Sequence, residues 1–177
     1  MRSLTYVALF AFSAVTVCAT DLTGKIEVDG FAGGVHITNP DNGVHANDGV
    51  FGFSGGYGVA SMVQIFGEYS YIPIGNDFNI SVRVQNFGGG VKINLLPKSD
   101  KYEPYGLFEF GGSHFSDNAG DASTTNKAVH LGGGVRIYAG SKKWGFTPEF
   151  RWIHISSNGN ATNVIAYTGG IFFQFGK

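Results

Sequence analysis

The sequence has a single cysteine in 177 residues, few charged residues and no basic excess. Charged residues make up 14% of the chain, with 12 Lys and Arg against 13 Asp and Glu. This balance excludes ordinary nucleic-acid binding, which needs a basic surface to neutralise phosphates. One cysteine cannot supply a disulfide framework. A hydrophobic content of 43% excludes an intrinsically disordered chain.

Glycine and aromatic residues are abundant instead. The chain has 28 glycines among its 177 residues, more than twice the roughly 7% of average proteins, and 15% of its residues are aromatic. The glycines have no three-residue period, which excludes a collagen-like chain. The length corresponds to one domain of ordinary size.

The first nineteen residues have the features of a secretory signal peptide. Arg2 is their only charged residue, an apolar stretch follows it, and Val17 and Ala19 are small residues at the −3 and −1 positions of a cleavage site. The alternative is an uncleaved anchor helix, which needs about 20 predominantly apolar residues. The sequence therefore predicts a signal peptide over 1–19, cleaved after Ala19, and a mature domain over 20–177 without cysteine.

Apolar residues alternate with small or polar residues through most of the mature chain, as they do in half-buried strands. The clearest windows are 51–59, 63–71, 129–138 and 165–175, and weaker ones cover about 25–36, 82–95, 103–114 and 145–155. The apolar parity changes between Val84 and Phe87, which predicts a β-bulge there. No window has a helical stripe, so the sequence predicts an all-β fold of eight strands.

The connections between these windows predict how the strands are joined. Polar links that look long, at about 37–49, 72–81, 115–127 and 156–163, alternate with short links at about 60–62, 96–101 and 139–144. Long loops at one end and tight turns at the other are typical of an antiparallel, up-and-down outer-membrane barrel. In such a barrel the long loops are extracellular and both termini, which lie on the short side, are periplasmic.

The polar face of the strands carries few charges, three acids and three bases by parity: Glu68, Lys92, Glu109, Arg136, Glu149 and Arg151. So few balanced charges predict a narrow barrel interior closed by ion pairs, in which glycines leave room for longer side chains. A soluble ligand-holding barrel in the periplasm is the alternative, but it needs a strongly polar outer face. An open porin is not expected, because aqueous channels need about 16–18 strands.

The apolar face is aromatic toward both ends, which is typical of the girdles at the two membrane interfaces. Near the long links these residues are Tyr69, Tyr71 and Trp152, and near the short links they are Trp144, Phe146 and Phe175.

Four segments resemble those of bacterial outer-membrane β-barrel-domain proteins, the broad OmpA/OmpX-like group. They are Phe66-Gly67-Glu68-Tyr69-Ser70-Tyr71, Gly88-Gly89-Gly90-Val91, Gly132-Gly133-Gly134-Val135-Arg136 and Trp144-Gly145-Phe146-Thr147-Pro148-Glu149-Phe150-Arg151. The C-terminal pattern of Thr168, Gly170, Phe173 and Phe175 is similar to the motif by which the barrel-assembly machinery recognises a final strand, although Gly176 and Lys177 follow it.

The resemblance implies an outer-membrane location, with membrane lipid, lipopolysaccharide and the barrel-assembly machinery as partners. It also implies a structural, envelope-integrity or surface-interaction role rather than catalysis.

No cofactor or metal site is predicted. The glycine triplets lie inside strands and lack the strand–turn–helix context and the Lys-Ser/Thr of a phosphate loop. Four histidines lie near the long links, but their spacing does not match a metal site: His36, His45, His114 and His154.

The sharpest catalytic candidate is His154-Ile155-Ser156. It resembles the His-x-Ser of the lipid A deacylases of the PagL type, eight-stranded barrels with a Ser-His-Glu triad, and by parity both side chains face outward toward lipid. The chain departs from that family at Ser157, where the family has Asn. No acid follows Glu149, so the third member of a triad is missing. A lipid A deacylase is therefore the alternative, and no enzyme is the prediction.

The two ends of the barrel differ in predicted charge. The long links carry Asp41, Asp48, Asp77, Asp117 and Asp121 against Lys127, while the short links and C-terminus carry Lys98, Lys101, Lys142, Lys143 and Lys177 against Asp100 and Glu103. The acidic loops suit either solvent or cation-bridged contact with anionic lipopolysaccharide.

Overall fold

The computed structural model describes residues 21–39, 44–74, 82–95, 101–117, 123–140, 143–157 and 160–176. The predicted signal peptide lies outside them. Eight strands account for almost all of the described residues, and no helix there could span a membrane. The strands are β1 (Ile26–Asn39), β2 (Val44–Ala60), β3 (Val63–Ile74), β4 (Val82–Asn94), β5 (Tyr102–Asp117), β6 (Ser123–Tyr138), β7 (Trp144–Ser157) and β8 (Asn160–Phe175).

The strands form one closed antiparallel barrel in sequence order. Each strand pairs with the next, and β1 also pairs with β8, where Ile26 is opposite Phe175. The predicted count, order and antiparallel pairing are confirmed. We call the end at which β1 begins and β8 ends the terminal end, and the opposite end the far end.

Along most of each strand, successive side chains point alternately to the inside and the outside of the barrel wall, as strand geometry requires. Large apolar side chains face outward, with Phe53 62% exposed, while charged groups such as Arg136 face inward and are 1% exposed. A soluble barrel has the reverse arrangement. This outer wall therefore excludes the soluble periplasmic alternative, because exposed aromatic side chains cover it.

At the far end the polarity of the inner and outer faces of the wall is reversed. There the inward side chains are apolar and form one buried cluster of Val35, Ile37, Val50, Ile72, Val84, Ala128, Ile153, Ile155, Val164 and Ala166. The outward side chains at the same height are polar, and we call them the polar band: His36, Thr38, Asn47, Arg83, Gln85, His114, Ser116, Thr125, Lys127, His154, Ser156 and Asn163. The strands have 12 to 17 residues, more than the about 9–11 residues that cross a membrane, so they continue beyond the apolar zone.

This reversal explains why the predicted bulge in β4 is wrong. The strand pairs without interruption with both neighbours from Val82 to Ile93. Val84 faces inward into the apolar cluster, whereas Phe87 faces outward below the polar band. The apolar parity changes because the apolar side chains move from the outer to the inner face toward the far end, not because a residue is inserted.

The register shift in the described strands lies instead in β2, between Gly58 and Ala60. Gly58 pairs with the segment before β1: its carbonyl accepts from the Gly24 N–H and its own N–H donates to the Lys25 carbonyl, both at 2.8 Å. A Cβ on Gly58 would stand 1.8 Å from the carbonyl oxygen of Leu22, and the Leu22 side chain is 1% exposed. A bulge at a barrel rim bends the strand where pairing ends.

The predicted difference in loop length between the two ends is also wrong. The far-end connections are 40–43, 75–81, 118–122 and 158–159, and the terminal-end connections are 61–62, 95–101 and 139–143. The polar residues that looked like long loops are mostly the polar band, which belongs to the strands.

For the same reason several charged residues that were predicted to lie in loops lie on strands instead. Asp48 and Asp117 lie on β2 and β5, Lys127 lies on β6, and Glu103 is buried inside the barrel rather than in a turn. Lys101 and Lys143 are exposed at the terminal end. The others lie outside the described residues: Asp41, Asp77, Lys98, Asp100, Asp121, Lys142 and Lys177.

Candidate functional site

The structure buries all six predicted interior residues, in two hubs of ion pairs. Arg151 on β7 forms a two-bond contact with Glu68, with 2.6 Å between Nη2 and Oε2, and its Nε donates to Glu149. Its Nη1 also lies 3.5 Å from Oε2 of Glu109. The same Glu109 oxygen lies 3.0 Å from Nδ1 of His130. One guanidinium thus serves three carboxylates from three strands.

A second hub lies nearer the terminal end, around Glu27, which the sequence analysis missed. The guanidinium of Arg136 donates to both carboxylate oxygens of Glu27, at 2.7 and 3.1 Å, and Nζ of Lys92 lies 3.7 Å away. The remaining guanidinium hydrogens reach Asn94 at 2.9 Å and Gln64 at 2.7 Å. Bidentate pairing of this kind is the strongest hydrogen bonding available to a buried carboxylate.

The predicted equality of acids and bases in the interior is wrong. Glu27, Asp29 and Glu103 are also buried there, so six buried acids face three buried permanent cations among the described residues. Neutral hydroxyl groups donate some of the hydrogen bonds that the carboxylates do not receive from cations. The hydroxyl of Tyr105 donates to Glu149 at 2.5 Å, and that of Tyr138 donates to Glu103 at 2.6 Å. Glu103 was missed because it was assigned to a short link, and Glu27 and Asp29 were not assigned to a face of their strand.

Glycine makes room for this network, as predicted. A Cβ on Gly88 would stand 2.5 Å from Oε1 of Glu109, and one on Gly134 would stand 2.7 Å from the hydroxyl of Tyr105. At Gly170 the neighbour would be Oδ1 of Asp29, again at 2.5 Å. An eight-stranded barrel is only just wide enough to be filled by side chains, so large polar groups need small residues opposite them.

The interior is closed above the network as well. The hydroxyl of Ser113 donates to Asn86 at 2.6 Å, and the Asn86 amide donates to Ser70 at 3.2 Å. The apolar cluster of the far end lies beyond this chain of hydrogen bonds. From the terminal end to the far end, the described part of the lumen is therefore filled by side chains.

The predicted pair His154 and Ser156 lies on the outside, in the polar band. The hydroxyl of Ser156 is 3.4 Å from Nε2 of His154, and Nδ1 of His154 is 3.0 Å from Oδ1 of Asn163 on β8. The imidazole also stacks on Trp152, with 5.6 Å between ring centroids. The structure thus supplies a third group that the sequence analysis missed, because Asn163 becomes a neighbour only through the β7–β8 register. It is an amide, not the acid of the deacylase triad.

The other described histidines of the polar band have similar partners. Nδ1 of His36 is 2.8 Å from Oδ1 of Asn47, and Nδ1 of His114 is 2.9 Å from the hydroxyl of Thr125. The side chain of His45 lies outside the description. Among the described residues no group of three His, Cys, Asp or Glu side chains could hold a metal ion.

The residues of the predicted aromatic girdle and of the C-terminal motif lie on the faces of the barrel wall that the alternation predicted. Phe173 and Phe175 face outward from β8, while Thr168 and Gly170 have the inward parity. Outward aromatic rings pair across strands, as Phe53 does with Tyr69 at 5.7 Å between centroids. The remaining girdle residues are also outward: Tyr71, Trp144, Phe146 and Trp152.

A closed eight-stranded antiparallel barrel with an apolar, aromatic outer wall and an ion-paired interior is a transmembrane β-barrel. The family model described as "outer membrane protein beta-barrel domain" matches residues 5–175. The chain therefore belongs to that family, and its location is the outer membrane. No curated protein sequence matches the chain at a significant level.

Solved structures with the same fold differ widely in sequence. Neisserial surface protein A is 12% identical, with a TM-score of 0.74, over 86% of this chain and 99% of its own. The attachment invasion locus protein Ail of Yersinia pestis is 13% identical, with a TM-score of 0.56, over 85% and 99%. The outer-membrane enzyme PagL is 15% identical, with a TM-score of 0.54, over 84% and 99%. Identities this low show that the fold is shared and carry no information about activity.

Proposed function

We propose that this protein is a sealed, non-conducting and non-enzymatic barrel that works at the outer surface of the outer membrane, in envelope integrity or surface interaction. One observation carries the proposal: the lumen is filled by the buried ion-pair network and by the apolar cluster beyond it. A filled lumen leaves the outer wall and the far end as the surfaces that are free to act.

The proposed orientation puts the far end outside the cell and both termini in the periplasm. Its support is the polar band, because bacterial outer-membrane barrels extend further on the extracellular side than on the periplasmic side. Here the wall continues beyond the membrane at the far end, with polar side chains outward and apolar side chains inward.

The proposed partners follow from this placement. Membrane lipid contacts the apolar outer wall, and lipopolysaccharide contacts the polar band. The barrel-assembly machinery would read the pattern of Thr168, Gly170, Phe173 and Phe175, of which the two phenylalanines are outward and about half exposed.

Purified protein in planar lipid bilayers is expected to give no stepwise conductance, because the described lumen has no continuous aqueous path. The same preparation should migrate differently on a gel with and without boiling, which shows that the barrel is folded. Stable conductance steps from such heat-modifiable protein would contradict the proposal.

A second candidate function is hydrolysis of a lipid ester, and the chain Ser156–His154–Asn163 favours it. In this second function Nδ1–H of His154 donates to the Asn163 amide oxygen, which leaves Nε2 to accept the Ser156 proton as the hydroxyl attacks an acyl carbonyl. The ester C–O bond then breaks, and the departing alcohol oxygen takes that proton from Nε2. Water hydrolyses the acyl-serine and releases the fatty acid. The site lies beside Trp152 at the edge of the apolar wall, where outer-leaflet esters are within reach.

If this second function holds, Ser156→Ala is expected to abolish the release of fatty acid from lipid A, with a loss of about 10³-fold or more. Asn163→Ala should lose activity less severely, because it only orients the imidazole. Asn47→Ala, in the polar band on β2, is the matched control. Mass spectra of lipid A that are identical for cells with the native protein, with Ser156→Ala and with a gene deletion would eliminate the hydrolase.

A further inference from the structure

Only two formal charges face outward from the described strands, and both are positive. They are Arg83 on β4 and Lys127 on β6, and both side chains are exposed. The acids whose side chains are described on these strands have the inward parity instead: Glu27, Asp29, Asp48, Glu68, Glu103, Glu109 and Glu149. The outer wall thus carries cations without acidic neighbours among the described strand residues.

Both cations lie in the polar band on either side of β5. Arg83 is opposite Ser116, and Ser116 is opposite Ser123 on β6, four residues before Lys127. Two strand spacings of about 4.8 Å and four residues of about 3.4 Å put their Cα atoms roughly 17 Å apart.

Polar donors fill the space between the two cations. His114 on β5 faces outward between them and is hydrogen-bonded to Thr125 at 2.9 Å, with Ser116 beside it. We call Arg83, His114, Ser116, Thr125 and Lys127 the cationic patch. No corresponding cation faces outward on the described parts of β1, β2 and β3.

A charge at the edge of an apolar membrane zone is costly unless it has a partner. Neither Arg83 nor Lys127 forms an ion pair with a described acid, so the protein itself does not supply that partner there. The height of the patch, just beyond the aromatic wall, is the height of lipid headgroups. The anionic group that membrane lipids present at that height is phosphate.

We propose that the cationic patch binds the phosphate groups of an outer-leaflet lipid headgroup. A spacing of about 17 Å suits a headgroup with two phosphates, one held from β4 and one from β6. The inference rests on the proposed orientation of the far end toward the outer leaflet. It specifies the lipid partner as one whose headgroup carries two phosphates.

The test measures binding of lipopolysaccharide to the folded barrel in non-ionic detergent micelles, with phosphorylated and dephosphorylated lipid A as the two probes. The native protein should prefer the phosphorylated form. The double variant R83S/K127S should bind it about tenfold more weakly and lose the preference. The matched control K25S/K143S removes two positive charges at the terminal end and should keep the preference.

Equal affinity of the native protein for the two probes, or an equal loss in the control variant, would overturn the patch. Inorganic phosphate that competes as well as the lipid would also overturn it, because the site would then hold a free anion. Heat-modifiable migration and the absence of conductance are checked on the same preparations. A sealed, folded barrel without phosphate preference contradicts the patch alone, while a conducting barrel contradicts the proposed function.

Discussion

Replacing Arg151 with methionine is expected to lower the free energy of unfolding by about 3–5 kcal/mol. Arg151 is 5% exposed, and its guanidinium holds Glu68, Glu149 and Glu109 together. Without it three buried carboxylates lose their shared cation in an interior that already has more acids than bases. Removing one partner of a buried ionic network is costly because the others stay buried and unpaired.

Unfolding in urea, followed by the heat-modifiable gel band and by tryptophan fluorescence, measures this change. The control is Arg83→Met, which makes the same substitution on the exposed outer wall and should change stability by no more than about 0.5 kcal/mol. A loss for Arg151→Met as small as that of the control would mean that the interior network does not stabilise the barrel.

Gly90→Ala is expected to destabilise the barrel by about 3 kcal/mol. The added Cβ would stand 2.0 Å from the carbonyl oxygen of Phe108 and 2.7 Å from Cα of Glu109 on β5. Both neighbours are backbone, so the strands themselves must separate. That movement would also disturb the hydrogen bonds of Glu109.

Gly169→Ala is the matched control, because a Cβ there meets no atom within 4 Å. It should be neutral or stabilising by about 0.5 kcal/mol, since alanine restricts the unfolded chain. Equal effects of the two substitutions in the same urea titration would contradict the close approach of β4 and β5.

The sequence was sufficient to predict the barrel because period-two alternation is a direct consequence of strand geometry. Parity placed Arg136 and Arg151 inside and Phe173 and Phe175 outside without any knowledge of pairing. The interior acid Glu103 was missed because it was assigned to a short link, and Glu27 was not assigned to a face of its strand.

The errors in β4 and in the loop lengths have one physical origin. Alternation was interpreted as if one face were apolar along the whole strand, whereas Val84 is inside and Phe87 is outside. The sign of the alternation reverses where the wall leaves the membrane. Polar residues such as Lys127 were therefore predicted to lie in loops, although they belong to strands.

Contacts between side chains on different strands were beyond prediction. The meeting of His154 and Asn163 depends on the β7–β8 register, and that of Arg136 and Glu27 joins strands far apart in sequence. A sequence pattern gives the face of each residue but not its height relative to the next strand.

The central claim is a barrel whose wall crosses the outer membrane and then continues into water at the far end. The most direct test is single-cysteine labelling of intact cells with a membrane-impermeant maleimide at Ser156, Phe150 and Lys143, with the unsubstituted protein as background. We predict that Ser156→Cys reacts, that Phe150→Cys stays protected by lipid, and that Lys143→Cys reacts only after the outer membrane is permeabilised. Equal labelling of Ser156→Cys and Phe150→Cys, or labelling of Lys143→Cys in intact cells, would contradict the account.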